Sequence, residues 1–240
     1  MHETRELLVD RPAEGVLRLR MNRPDRLNAV NAALVDALMA AFDDVGARAV
    51  ILGSSSPKAF CSGVDLDIRD DERARVSDTL YELYEKMIRL PVPIVVAVDG
   101  HAVGAGTQMA IAGDLRVVGP GTKIRVAGPK HGLAVAAWGL PGLVGRGRAV
   151  DLCLTMRSVG AHEAKTIGLA DRVAEEPQEA AVELASALVG LDEAAVSRVK
   201  RLVQEGARLL DGLRQEREGN RETWTGSVAA LLSRGREERG

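Results

Sequence analysis

The chain has 240 residues, is 46% hydrophobic and carries a formal net charge of -2. It is long enough to bury the core of one domain, and its charge balance argues against a nucleic-acid partner. Cys61 and Cys153 are far apart and lack histidine or cysteine neighbours at ligand spacing, which argues against a disulfide scaffold or a metal site. Met1–Val9 lacks the apolar core of a signal peptide and no apolar run reaches membrane-span length, so we expect a cytoplasmic protein.

The first 90 residues alternate between strand and helix patterns. Two short strands are predicted at Arg5–Val9 and Val16–Met21, and a buried strand at Ala49–Leu52. Asn31 is a suitable N-cap for a helix that runs to about Gly46.

Two different patterns then follow before the middle of the chain. The highly charged segment Arg69–Arg75 is predicted to be a solvated loop. Apolar residues at spacings of three and four predict an amphipathic helix over Val76–Leu90, which ends before Pro91.

The centre of the chain is a short apolar run followed by a glycine-rich turn. Ile94–Val98 is typical of a strand buried on both faces. Gly104, Ala105 and Gly106 form the turn, and a small, apolar helix is predicted over Thr107–Ala112. Such a turn gathers backbone N–H groups that can hold a negative oxygen, as enzymes acting on thioesters require.

This turn has two other interpretations. A dinucleotide site would need the spacing G-x-G-x-x-G and an acidic residue about 20 positions later. The chain has G-x-x-x-G-x-G, and Asp114 comes too early. A purely structural tight turn remains open on this stretch alone.

The remaining segments are mostly helical. A strand is predicted at Lys123–Val126 and a turn over residues 128–132. Helices are predicted at Gly142–Leu154, Ala161–Ile167, Glu179–Leu188, Glu193–Leu209 and Arg214–Leu232.

Six segments, in the same order, resemble the crotonase (enoyl-CoA hydratase/isomerase) superfamily. They are residues 22–29 (NRPDRLNA), 59–66 (AFCSGVDL), 99–106 (DGHAVGAG), 113–117 (GDLRV), 143–149 (LVGRGRA) and 164–173. The resemblance implies an α/β fold, a spiral of ββα units that binds acyl-CoA over residues 1–176. It further implies a helical region over 177–240 for packing and oligomerisation, with homotrimers or dimers of trimers (hexamers).

The resemblance also implies the site residues. The oxyanion hole would be the backbone N–H groups of Val64 and Ala105. The ligand's coenzyme A would lie near Arg26, Leu27, Ala59, Ser62, Gly63, Asp65, Leu66, Gly104 and Gly106. Coenzyme A would enter only as part of the acyl-CoA ligand, with no tightly bound cofactor and no metal.

The chain departs from this family at the two glutamates of a hydratase, whose positions hold Gln108 and Lys130. A glutamine amide does not exchange a proton near neutral pH and a lysine ammonium has no lone pair. Each lost acid or base costs roughly 10²–10⁴-fold in rate. Conventional hydration is therefore doubtful, and the string Gly132–Trp138 most resembles a shortened branch of the superfamily that lacks these glutamates.

Other groups could act in their place. Lys130 with a lowered pKa could be a base, and His131 could carry a proton, whereas Cys61 is interpreted as a packing residue. The sequence favours a protein of fatty acid metabolism that binds fatty acyl-CoA thioesters. The alternatives are an active isomerase, thioester hydrolase or decarboxylase that stabilises an enolate, and an acyl-CoA-responsive interaction partner in lipid or polyketide metabolism.

Overall fold

The computed structural model describes residues 4–223. Its strands are β1 (Leu7–Ala13), β2 (Val16–Met21), β3 (Ala49–Ser54), β4 (Ala59–Cys61), β5 (Ile94–Val98), β6 (His101–Val103), β7 (Leu115–Val118), β8 (Lys123–Arg125), β9 (Ser158–Gly160) and β10 (Arg172–Val173). Its helices are α1 (Ala32–Asp43), α2 (Asp70–Arg89), α3 (Ala105–Ala112), α4 (Leu140–Val144), α5 (Arg146–Thr155), α6 (Ala161–Ile167), α7 (Pro177–Val189), α8 (Glu193–Gly206) and α9 (Leu209–Thr223). Short 3-10 turns occupy Pro24–Arg26 and Pro129–His131.

The strands form two sheets, between which the chain alternates. The larger sheet has the order β1-β2-β3-β5-β7-β10 and the smaller one the order β4-β6-β8-β9. Pairing is parallel except between β1 and β2 and between β8 and β9. The segments β3–β4–α2 and β5–β6–α3 each place one strand in each sheet and then add a helix. This repeated ββα unit confirms the predicted α/β crotonase-like spiral.

Strand β5 is buried on both faces, as its apolar run predicts. Val95 and Ala97 belong to a cluster with Leu184 of α7. Val96 and Val98 face the main core, which also holds the apolar faces of α1 and α2. Helix α7 therefore covers the outer face of the larger sheet, and β5 sits at the centre of the molecule, where it fixes the turn that follows it.

The predicted α1 is confirmed with its cap, since Oδ1 of Asn31 accepts a hydrogen bond from Leu34 N at 3.0 Å. The predicted loop over Arg69–Arg75 is wrong, because α2 begins at Asp70. Three acidic residues fill its first turn, where the helix dipole favours negative charge. Charge alone therefore did not indicate a loop.

Other boundaries differ from the prediction for local reasons. The predicted helix over Gly142–Leu154 is split into α4 and α5 at Gly145, whose φ of 78° interrupts the helical backbone. The first strand reaches Ala13 because it pairs with β2 across an irregular register. Helix α9 begins at Leu209 rather than Arg214, and the predicted helical stretch 224–232 lies outside the described residues. None of the helices within 4–223 has the length and apolar character needed to cross a membrane.

Candidate functional site

Two glycine turns meet where the smaller sheet joins α3. The first, Ser62–Val64, follows β4, and the second, Val103–Ala105, links β6 to α3. Gly63 and Gly104 have φ values of 112° and 54°, which favour glycine. A Cβ added to Gly104 would lie 4.0 Å from the Cα of Gly63, so the two turns are neighbours. We call residues 62–64 and 103–105 the turn wall.

A third glycine locks these turns together. A Cβ on Gly106 would come within 2.3 Å of the carbonyl oxygen of Cys61, a distance that backbone atoms do not tolerate. The start of α3 therefore packs directly on the end of β4. Gly106 thus sets the distance between the two turns.

Neither the N–H of Val64 nor that of Ala105 takes part in any hydrogen bond within residues 4–223. Val64 pairs with Val30 in a parallel bridge, in which Val30 N donates to Gly63 O and Asp65 N donates to Val30 O. The N–H of Val64 therefore points away from Val30. Ala105 is the first residue of α3, where an N–H has no partner within the helix. Both residues line one cavity.

The cavity has a volume of about 200 Å³. The turn wall bounds one side of it. Residues of α2 and α9 also line it, and we call them the helix wall: Arg73, Ser77, Leu80, Tyr81, Tyr84 and Asn220. The segment 127–135 closes the remainder. The Tyr84 hydroxyl donates a hydrogen bond to Ala105 O at 3.4 Å, so this part of α2 contacts the turn wall.

Gln108 lies on α3, is 5% exposed and lines the cavity. Its Oε1 accepts hydrogen bonds from Trp138 Nε1 at 2.9 Å and from Ala136 N at 3.2 Å. Because both partners can only donate, these contacts assign the oxygen of the amide. The NH₂ group is the end that remains to donate, and the Tyr81 hydroxyl is one acceptor near it. Gln108 therefore offers the cavity a donor and no base.

A buried polar cluster joins Tyr81 and Asn220 of the helix wall to Glu216 behind them, and no feature of the sequence indicated it. Tyr81 donates its hydroxyl to Glu216 Oε1 at 2.9 Å and accepts a hydrogen bond from Asn220 Nδ2 at 2.8 Å. The carboxylate of Glu216 also accepts from the backbone N–H groups of Ala136 and Trp138. Helix α9 is thereby fastened to the segment beside Gln108.

Burial decides the acid–base state of this cluster. It raises the pKa of Glu216, although the hydrogen bonds from Tyr81 and the backbone oppose the change. It also raises the pKa of Tyr81 well above its ordinary value, with the nearby Glu216 as a further cause. Tyr81 is therefore a neutral phenol at physiological pH. Glu216 does not line the cavity.

Lys130 and His131 lie on the 3-10 turn Pro129–His131. Lys130 is exposed and is not part of the cavity lining, whereas His131 is half-buried and lines it. The structure therefore brings Gln108 together with Val64 and Ala105 but leaves the Lys130 side chain outside. Cys61 is fully buried, which raises its pKa to about 12, so it is a thiol and packs beneath the turn.

The residues that the resemblance assigns to coenzyme A fall into three groups. Ser62, Gly63, Leu66 and Gly104 line the cavity. Ala59, Asp65 and Gly106 are buried outside it, and Arg26 and Leu27 are exposed.

Two ion pairs join this region to the first turn. Asp65 accepts from Arg23 NH1 at 2.9 Å and, through Oδ1, from Asp67 N at 3.1 Å, so it fixes the chain just after Val64. Arg26 NH1 lies 2.5 Å from Asp67 Oδ2. Within the described part of the chain, no cluster of three or more histidine, cysteine or acidic side chains could hold a metal ion.

A family model described as enoyl-CoA hydratase/isomerase matches residues 11–230. The chain belongs to the enoyl-CoA hydratase/isomerase family. It is 32% identical over 223 residues to the probable enoyl-CoA hydratase echA6 of Mycobacterium leprae, which covers 89% of both chains. It is 38% identical over 167 residues to the protein of that name from Mycobacterium tuberculosis, covering 67% of this chain and 68% of the relative.

Solved structures agree with this family. An enoyl-CoA hydratase/isomerase from Mycobacterium paratuberculosis superposes with a TM-score of 0.85 at 26% identity, covering 96% of this chain and 98% of the other. A monofunctional enoyl CoA isomerase from M. smegmatis superposes with a TM-score of 0.75 at 29% identity, covering 88% and 99%. Members with this fold thus carry names for more than one reaction.

Proposed function

We propose that this family member binds an acyl-CoA thioester and holds its carbonyl oxygen between the N–H groups of Val64 and Ala105. The observation that supports this most strongly is that two otherwise unused amides, on glycine turns locked together by Gly106, face one cavity. Backbone donors need no particular side chain, so valine and alanine serve. The N-terminus of α3 adds partial positive charge at Ala105.

Such a pair acts mainly on charge that develops during a reaction. One oxyanion donor contributes roughly 10²–10³ in rate when an enolate or tetrahedral oxygen forms. In the ground state it contributes only a modest hydrogen bond of about 1 kcal/mol. The site can therefore bind and polarise a thioester whether or not it turns it over.

We propose that conventional hydration of an enoyl-CoA is lost, which would place the chain in a shortened branch without the hydratase glutamates. The Oε1 of Gln108 is already held by Trp138 and Ala136. Lys130 is exposed, and Glu216 is separated from the cavity by Tyr81. No carboxylate among residues 4–223 lines the cavity, so the cavity lacks the pair of glutamates that a hydratase of this family uses to activate water.

We further propose a homotrimer or a dimer of trimers. Helix α8 has no buried residue, and Val199, Leu202 and Val203 stand 63%, 55% and 67% exposed on one face of it. An apolar stripe of this kind favours contact with another chain. Native mass spectrometry of the Val199→Asp, Val203→Asp double variant should show monomers, and an unchanged oligomer would contradict the proposal.

A second candidate function is isomerisation, which one observation favours. His131 lines the cavity, and moving a double bond needs a single group that takes and returns a proton. Loss of turnover of a 3-enoyl-CoA in a His131→Gln variant that still binds the thioester would support this candidate.

Binding and turnover, measured separately, test the main proposal. Calorimetric titration with octanoyl-CoA should show one site per chain, while crotonyl-CoA should be hydrated at a negligible rate. Lys130→Ala, a change outside the cavity, should alter neither result. Hydration at ordinary hydratase rates would contradict the loss of hydration, and no binding of any acyl-CoA would contradict the proposal as a whole.

A further inference from the structure

A second cavity lies between the end of α2, helix α8 and the start of α9. Its volume is about 370 Å³, which is within the size range of small-molecule sites. The apolar part of its lining consists of Ile88, Leu90, Pro91, Leu209 and Leu210. The three leucines are only half-buried, so the fold leaves apolar surface for a ligand to cover. Val199, Leu202 and Val203 lie outside this lining, so a ligand here does not need the surface proposed for contact between chains.

The other part of the lining is charged. Its cations are Arg89, Lys200, Arg201, Arg208 and Arg214, and its acids are Glu205 and Asp211. Three of the cations are each matched by one carboxylate, at N–O distances of 2.7, 3.4 and 3.3 Å in the pairs Lys200–Asp114, Arg201–Glu205 and Arg208–Asp211. These three pairs carry no net charge.

The remaining two arginines share a single carboxylate. Nε of Arg89 and NH2 of Arg214 both donate to Oε1 of Glu85, at 2.9 and 3.2 Å. Burial alone would raise the pKa of Glu85, but the hydrogen bonds from the two arginines lower it, so Glu85 is ionised. Glu82, one turn earlier on α2, pairs with Arg217 instead. Within residues 4–223, Arg89 and Arg214 therefore carry one positive charge that no paired carboxylate balances.

One excess positive charge beside apolar surface favours a monoanion with an apolar body. Two guanidiniums that hold one carboxylate oxygen still have N–H groups with which to hold a second carboxylate. The side chains of Arg89 and Arg214 are 52% and 53% exposed, so a ligand reaches them without a change in the fold. A phosphate monoester would bring about two negative charges, more than this pair of arginines balances.

We propose that the second cavity binds a free medium-chain fatty acid. Its carboxylate lies between Arg89 and Arg214, and its chain lies against Leu90, Leu209 and Leu210. The inference goes beyond the proposed function and does not depend on it. Helices α2 and α9 contribute to both cavities, but the two cavities share no lining residue.

Calorimetric titration of the full chain with octanoate tests this proposal. Octanoate should bind at one site per chain, and saturating octanoyl-CoA should not displace it, because the thioester is assigned to the other cavity. Acetate, which lacks the chain, should bind far more weakly. Octanamide, which lacks the charge, should bind roughly tenfold more weakly, as expected for loss of two half-exposed ion pairs.

Variants of the two arginines locate the site. Arg214→Met should weaken octanoate binding by roughly three- to fivefold, the upper range for a half-exposed ion pair, and the double variant with Arg89→Met should weaken it further. Arg75→Met is the matched control: Arg75 is 51% exposed and also pairs with one carboxylate, that of Asp36, and its loss should leave octanoate binding unchanged. Glu85→Gln should tighten octanoate binding, a gain that a damaged fold does not produce.

Several results would overturn the inference. Octanoate binding that is absent in the millimolar range, or that is the same in the double arginine variant as in the native protein, would do so. Equal weakening by Arg75→Met would show a general effect of charge, and weakening by Glu85→Gln would contradict the excess positive charge. Displacement by octanoyl-CoA would place the fatty acid in the other cavity. Failure of octanoyl-CoA itself to bind would contradict the proposed function alone.

Discussion

The turn wall and the helix wall of the cavity are built in different ways. The turn wall is made of backbone: Gly63, Gly104 and Gly106 allow two chain segments to touch, and its donors are main-chain amides. The helix wall is made of side chains that come from distant parts of the sequence, such as Tyr81 and Asn220. The first therefore depends on close packing, whereas the second depends on a buried hydrogen-bond cluster.

The largest effect is expected from Gly106→Ala, which disrupts the packing of the turn wall. Its Cβ would meet Cys61 O at 2.3 Å, so α3 must shift and the two amides separate. We expect a loss of roughly 1–3 kcal/mol in unfolding free energy, as for overpacked cores, together with loss of acyl-CoA binding. Denaturant melts and calorimetry measure the two effects.

Gly147→Ala is the matched control for that change. Gly147 lies in α5 with no atom within 4 Å of an added Cβ, so stability should hold or rise by up to about 1 kcal/mol. If Gly106→Ala behaves like this control and still binds acyl-CoA, close contact between the turns is not what builds the site.

The helix wall should respond to Glu216→Ala with a smaller loss. The change leaves the Tyr81 hydroxyl and the N–H of Trp138 without their buried acceptor, at about 1–3 kcal/mol. Acyl-CoA binding should weaken while the N–H groups of Val64 and Ala105 keep their positions, which amide chemical shifts can follow. A variant as stable as the native protein would show that the cluster does not hold α9.

The pH dependence of protein stability gives a second test of the buried cluster around Glu216. Burial raises its pKa above the ordinary 4.5. As pH rises past that value, the unfolded chain releases the proton of Glu216 while the folded chain keeps it. The free energy of unfolding therefore falls until the pH passes the pKa of Glu216 in the folded chain. Glu216→Gln should remove that fall. Denaturant melts across this pH range should show the unfolding free energy of the variant rising relative to that of the native protein. A difference that does not change with pH would contradict a raised pKa.

The smallest effect is expected at the outer edge of the helix wall. Asp78 of α2 pairs with Arg217 and Arg221 of α9 at 2.8 and 2.7 Å, and these arginines lower its pKa. The stabilisation that ionised Asp78 provides is therefore fully present at pH values above the ordinary pKa of 3.8 and is lost as the pH falls below it. Asp78→Asn should cost no more than about 1 kcal/mol and less at high salt. A loss as large as that of Glu216→Ala would contradict this ranking.

The two walls also differ in how much the sequence revealed. The glycines of the turn wall form a local pattern after an apolar run, so the turns, β5 and the alternating α/β spiral could be predicted. The helix wall could be predicted only in part: the helix predicted over Val76–Leu90 is present in α2, which ends at Arg89, but Arg73 lies in a charged stretch predicted as a loop, and α2 includes it. In α9 the buried positions Leu213, Glu216 and Asn220 keep helical spacing, but two of them are polar. No feature of the local sequence distinguishes a buried glutamate from the solvated glutamates near it.

The position of the thioester carbonyl tests the central claim most directly. Acyl-CoA labelled with ¹³C at that carbonyl can be followed by isotope-edited infrared spectroscopy, since hydrogen bonds from two amides weaken the C=O bond. On binding, the labelled band should move to lower frequency than in free acyl-CoA, and Gly106→Ala should abolish the shift in any fraction that still binds. A bound ligand whose carbonyl band stays at the free position would contradict the role given to Val64 and Ala105.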